Sequence, residues 1–293
     1  MKGKNFLWIL GFGLMVMAVG LVGCGDVPIE SKIYHYPNWT PDGRIIAIKN
    51  VIRETKGMWG NYDTTYDKSF ITTISSDGAT ETDLFEISDY AYPSEVVCSP
   101  DGKKIGYISH PEYKLAIINY DGTGKYIIPG VSGVSHFDWS PDSTKIAYSN
   151  DNGELHVFNI DGTNNNQIAT SAEAVAWRVG GGIAFEYLDN GYLYLGRINT
   201  DGTSKESYGN MSVYSPQISN NNNIIYGLAM AAYRKLDVST NPPKEEILIN
   251  KIDFIKPRIA FDEKKLIGSD LDQQDIVGIW IINIDGTGSK RLR

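Results

Sequence analysis

The sequence is short of cysteine, short of histidine, short of positive charge and, beyond its first 24 residues, without a sustained helical pattern. There are 2 cysteines and 4 histidines in 293 residues. There is no Gly-x-Ser-x-Gly elbow and no His-Glu-x-x-His, so neither a hydrolase nucleophile on a strand-to-helix turn nor a helical zinc site is written in the chain. Gly122-Thr-Gly-Lys125 lacks the Gly spacing and the following Ser or Thr of a phosphate loop and reads as a hairpin turn. Lys and Arg number 27 against 35 Asp and Glu. That acidic balance argues against nucleic acid as a partner.

What is present is a phrase that returns. An apolar strand, a Pro-Asp turn and a second apolar strand appear as Asn38-Trp-Thr-Pro-Asp-Gly-Arg-Ile-Ile-Ala47, Val97-Cys-Ser-Pro-Asp-Gly-Lys-Lys-Ile-Gly-Tyr107 and Phe137-Asp-Trp-Ser-Pro-Asp-Ser-Thr-Lys-Ile-Ala-Tyr148. A second phrase, an apolar strand closed by Asp-Gly, follows each copy. Its Asp-Gly pairs begin at 77, 121, 161, 201 and 285, in steps of 44, 40, 40 and 84. The last step is two periods with one pair replaced, near Val238-Ser-Thr-Asn241. Degenerate successors of the Pro-Asp turn fall near Gly180, Asn220 and Asp262. Six units of roughly forty residues have the blade length of a β-propeller. The turns support strands: Pro presets the first central position and Gly takes the left-handed position that follows. The fold class expected is all-β, a six-bladed β-propeller of four-stranded antiparallel blades.

The phrase Ser-Pro-Asp-Gly-x-x-Ile-Ala-Tyr followed by Ile-x-x-Asp-Gly-Thr resembles the TolB-type propeller repeat. The resemblance covers nearly all of the chain after the leader and implies a scaffold fold rather than one activity. TolB has an extra N-terminal α/β domain for which this sequence has no room.

The leader carries its own resemblance. Lys2 and Lys4 are followed by an uncharged apolar run from Phe6 to Val22 and then Leu21-Val22-Gly23-Cys24. This is similar to a bacterial lipoprotein signal peptide with its lipobox. It implies a signal peptide over 1–23, acylation of Cys24 by palmitate-like chains, a tether over 24–32 and the propeller over 33–293. A retained transmembrane helix is the alternative, weakened by the short run and by Gly11, Gly13 and Gly20. The implied localisation is the cell envelope, anchored in a membrane on the periplasmic or extracellular side. Without Lys2 and Lys4 the mature chain has 25 basic residues against 35 acidic, a net charge of −10. Cys98 is then left without an intrachain partner, so no disulfide framework is available.

Strand parity places the Pro-Asp and Asp-Gly turns at one end of the blades and the longer connections at the other. An insertion over 51–70 lies among the longer connections. Loops on a rigid scaffold are common binding sites. The candidate partner-binding residues are therefore Met58, Trp59, Tyr62 and Tyr66 of the insertion, with Tyr113 and Tyr187 of neighbouring connections; packing over the blade ends is the competing role. Trp39, Trp139 and Trp177, in like places before the first turn of their units, are expected between blades. His35 and His136 are placed near a central channel. Oligogalacturonate lyases with similar blades hold a metal there with several histidines, but two fall short of that set, and no metal or other cofactor is expected. The function expected is a non-catalytic, monomeric binding or scaffold module for an envelope protein or glycan. The alternatives are a polysaccharide lyase, an accessory domain of a hydrolase system, and a structural protein without a dedicated ligand.

Overall fold

The computed structural model describes residues 29–56, 62–87, 94–177, 182–208, 214–219, 223–229, 232–250, 254–260, 262–270 and 278–292. It divides into two compact units, 1–32 with 51–67 and 33–50 with 68–293. All described regular structure is β, in six four-stranded sheets. Blade 1 holds β1 (Ile29–Trp39), β2 (Ile45–Lys56), β3 (Tyr62–Ile74) and β4 (Glu81–Ile87). Blade 2 holds β5 (Ser94–Cys98), β6 (Lys104–Ser109), β7 (Lys114–Asn119) and β8 (Tyr126–Ile127). Blade 3 holds β9 (Val134–Trp139), β10 (Lys145–Asn150), β11 (Leu155–Asn159) and β12 (Asn166–Ala169). Blade 4 holds β13 (Ala172–Trp177), β14 (Gly182–Asp189), β15 (Tyr192–Asn199) and β16 (Glu206–Ser207). Blade 5 holds β17 (Tyr214–Ile218), β18 (Ile224–Ala229), β19 (Ala232–Asp237) and β20 (Lys244–Ile249). Blade 6 holds β21 (Phe254–Ile259), β22 (Lys265–Asp270), β23 (Ile279–Asn283) and β24 (Lys290–Arg291).

The repeated turns close by the same bonds each time. In the first phrase, Gly102 N–H donates to Ser99 O at 2.8 Å and the Ser99 hydroxyl donates to Asp101 at 2.6 Å. Asp101 in turn accepts from Lys103 N–H at 3.0 Å. Gly43 and Gly102 sit at φ 81° and 71°; Ser143 takes the same place in blade 3 at φ 60°. In the second phrase, Gly122 N–H donates to Asn119 O at 2.8 Å and Thr123 donates both its N–H and its hydroxyl to Asp121. The pattern recurs at Asp161, Asp201 and Asp285, and these donated bonds hold the four carboxyls below their usual range. Where the Asp-Gly pair is missing in blade 5, Asp237 does the same work by accepting from Ser239 N–H at 3.0 Å.

The core is a set of seams between blades. Each middle strand sends alternate residues to opposite neighbours. In β2, Ile46 and Ile48 pack on Val96, Ile105 and Tyr107 of blade 2, while Ile45 and Ala47 pack on Ala260, Ile267 and Ile281 of blade 6. In β10, Ile146 and Tyr148 face blade 2 and Ala147 faces blade 4. Burial on both faces is why these strands read as unbroken apolar runs such as Ile45-Ile-Ala-Ile48 instead of alternating. The seams are close: a Cβ on Gly106 would stand 2.7 Å from the Phe137 ring.

The ring closes between blades 6 and 1. Blade 6 completes itself with β24, and closure is by packing. Leu292 lies in the seam with Ile74 and Trp39, Lys290 Nζ donates to Asp77 O at 2.6 Å, and Trp39 Nε1 donates to Arg258 O at 3.2 Å. The insertion differs from the loop expected. Val51–Lys56 continue β2 and Tyr62–Asp67 begin β3, so strand extends through most of it. Runs such as Val51-Ile-Arg-Glu-Thr-Lys56 can be accommodated as strand because they contain no Pro or Gly.

Candidate functional site

The inner strands face a difficulty common to all propellers. Their inner edges pair with no other strand, so buried N–H and C=O groups there need acceptors and donors from elsewhere. Here the residue three positions ahead of the Pro of each Pro-Asp turn, or of its equivalent place, supplies many of them. These residues are Asn38, Val97, Asp138, Ala176, Gln217 and Arg258. Asn38 Nδ2 donates to Val96 O in the next blade at 3.5 Å. Asp138 accepts Trp139 N–H at 2.9 Å and Trp177 N–H of blade 4 at 2.8 Å. Gln217 donates to Pro257 O and accepts Ile259 N–H, both in blade 6. The tryptophans bond in the reverse direction: Trp139 Nε1 donates to Val97 O at 3.1 Å, as Trp39 does to Arg258 O. Trp39, Trp139 and Trp177 are buried between blades.

Val97 and Ala176 cannot serve as staples. In blade 2 the task passes to Glu95. Its position is strained: φ is 55° for a residue with a Cβ, at a bulge where the register slips between Ser94 and Val96. The bulge turns the Glu95 carboxylate inward. One oxygen accepts Phe137 N–H at 3.2 Å and lies 3.4 Å from His136 Nδ1. The other is paired with an Arg258 Nη, which spans from blade 6 to blade 2. The side chain of Glu95 is 4% exposed and that of Arg258 16%. Nearby, burial first and the charge of Glu95 second push the Tyr36 hydroxyl above its usual pKa.

Around these staples is a cavity of about 190 Å³. Its walls combine the six residues before the turns with Phe137, Trp39, Trp139 and Trp177, and Pro100 and Pro141 place it at the Pro-Asp end of the inner strands. The small side chains of Ala176 and Val97 leave the room. Loop reasoning missed this site because it looked for aromatic residues on long connections at the other end. The signal was there: polar Asn38, Asp138, Gln217 and Arg258 recur in phase, one residue ahead of a buried large side chain.

Of the residues proposed from sequence, Cys24, Met58 and Trp59 lie outside the described residues. Tyr62 and Tyr66 fall on β3, in the smaller unit, and their side chains are likewise outside what is described. Tyr113 is 47% exposed, at φ 50°, with its ring 4.2 Å from that of His110. Tyr187 is corrected from a connection to a strand: it lies in β14, 8% exposed, its hydroxyl donating to Ser207 at 2.8 Å and Lys205 over its ring. Residues 182–187 of β14 are all buried, and the Tyr187 ring packs in the seam to blade 3. The connection is only Asn190 and Gly191, between β14 and β15.

Among the described residues, no three His, Cys, Asp or Glu side chains converge as metal ligands. Burial holds His35 below the usual imidazole pKa. The Cys98 thiol, on the cavity wall, is pushed up to about 12, by burial first and by Asp42 and Asp101 next. A thiol at that pKa stays protonated and unreactive near neutrality. In a Cys24→Ser variant, Cys98 is expected to resist a thiol-specific reagent at pH 8 in the native protein and to react fully in denaturant; native labelling as fast as that of a free thiol contradicts this burial.

No protein-family model matches the sequence and no curated protein does. Solved structures do. TolB from Acinetobacter baumannii superposes with a TM-score of 0.64 at 14% identity, over 75% of this chain and 58% of that one. A chain of the nidogen/laminin complex gives 0.62 at 8% identity, over 89% and 92%. An oligogalacturonate lyase in complex with manganese gives 0.54 at 10% identity, over 82% and 87%. This chain therefore spans less than two thirds of the TolB structure, and what it shares with all three at such low identity is the fold: it is a six-bladed β-propeller similar to that of TolB.

Proposed function

We propose that this protein is a non-catalytic propeller module of the bacterial envelope, held to a membrane by lipid on Cys24, and that it binds its ligand at the central cavity. One observation carries the reading. The polar groups of the cavity wall are engaged in holding blades together: Asp138, Gln217 and Asn38 each bond to backbone of a neighbouring blade, and so does Glu95, the partner of the lining residue Arg258. A side chain so engaged is a poor general acid or base, because moving its proton would undo the frame. The room is also small. Sites that enclose drug-sized ligands run to about 300–1,000 Å³, so a cavity of about 190 Å³ suits one side chain or chain end of a partner rather than an enclosed oligosaccharide. The lipobox residues Leu21, Gly23 and Cys24 support the anchor; several acyl chains at about 0.8 kcal/mol per buried methylene hold firmly.

The test is chemical crosslinking in the envelope followed by recovery of the full chain and whatever it holds. Ala176→Leu fills the cavity without removing a hydrogen bond. Its crosslinked species should disappear while its melting temperature stays at the wild-type value. Crosslinks that persist in Ala176→Leu and vanish in Trp59→Ala/Tyr62→Ala would move the site to the insertion. A stoichiometric divalent metal in the purified protein, lost on replacing His35 and His136, would favour the lyase instead.

A further inference from the structure

We infer that the cavity recognises a carboxylate, with Arg258 as the residue that receives it. This rests on the reading of the cavity as the binding site and says what enters it. The acceptors are taken up: Asp138 holds two backbone N–H groups, and Glu95 holds Phe137 N–H and Arg258. Donors remain. A guanidinium carries five N–H groups in a rigid fork, and among the described residues Arg258 directs one nitrogen to Glu95 and has no other side-chain partner. Trp177 is also on the cavity wall, and its indole N–H is buried with no acceptor among the described residues. Its counterparts in blades 1 and 3 both have carbonyl acceptors.

A cavity with surplus donors and engaged acceptors selects an acceptor-rich ligand. Planar carboxylates match the fork of an arginine, and charge-assisted bonds of this kind are about twice as strong as neutral ones. The remaining wall is apolar: Trp39, Phe137, Trp139, Val97 and Ile218. The ligand that fits is thus a carboxylate on a compact apolar body, as at the C-terminus of a peptide ending in a large apolar residue. Arg258 is already anchored by Glu95, so its fork is held in place before the ligand arrives, which lowers the ordering cost of binding.

The probe is N-acetyl-L-phenylalanine, with N-acetyl-L-phenylalaninamide as its uncharged control, titrated into the purified full chain and read by tryptophan fluorescence. The carboxylate should bind about tenfold or more tightly than the amide, and the preference should shrink as salt is raised. Arg258→Lys should lose part of the preference and the paired Glu95→Gln/Arg258→Gln variant all of it. The paired variant avoids leaving a buried charge alone. Equal binding of carboxylate and amide, or a preference that survives in the paired variant, overturns the carboxylate inference while leaving the cavity as the site. Binding of both probes that is unchanged in Ala176→Leu overturns the cavity itself. Absence of binding by the carboxylate at tens of millimolar overturns the inference as well.

Discussion

Replacing Glu95 by alanine should cost on the order of 3–5 kcal/mol, the range for breaking a buried ion pair from one side. Glu95 links three blades: it accepts Phe137 N–H in blade 3 and pairs with Arg258 in blade 6 from its place in blade 2. Its loss leaves a guanidinium that is mostly withdrawn from water and a backbone N–H without an acceptor. Two companion variants separate the causes. A left-handed φ costs a residue with a Cβ about 1–2 kcal/mol, and Glu95 sits at φ 55°. Glu95→Gly should therefore be the more stable of the two truncations, by about 1 kcal/mol. Glu95→Ala combined with Arg258→Met should be less damaging than the sum of the single changes, because no charge is left alone. Urea unfolding reads all of these. If Glu95→Ala unfolds at the wild-type midpoint, the pair contributes nothing to closure of the ring.

The second large effect is expected at Trp139. Its side chain is 1% exposed in the seam between blades 2 and 3, against Val97, Ile146 and Phe137. Trp139→Ala should cost about 3–5 kcal/mol, which lowers the thermal midpoint by on the order of 10 °C in a domain of this size. Trp139→Phe keeps most of the ring but leaves Val97 O without its donor, so it should still cost about 1–3 kcal/mol. Trp177→Phe makes the contrast. The Trp177 indole N–H has no acceptor among the described residues, so only packing is lost and the cost should be smaller than at Trp139. Equal losses at the two positions would mean that the Trp139 bond to Val97 adds nothing beyond the area it helps bury.

The sequence alone determined the period, the number of blades and the chemistry of the turns. These are local facts. Ser99, Asp101 and Gly102, or Asn119, Asp121, Gly122 and Thr123, satisfy one another within a few residues, so their spacing in the chain is already their geometry. The tertiary structure alone decided which groups meet at the centre. Glu95 and Arg258 are 163 positions apart, and nothing in either neighbourhood names the other; they meet because six inner strands converge on one axis and a bulge turns one of them inward. The same convergence explains why Tyr187, read as a loop aromatic, became seam packing, and why the cavity opened where Ala176 and Val97 are too small to reach the next blade.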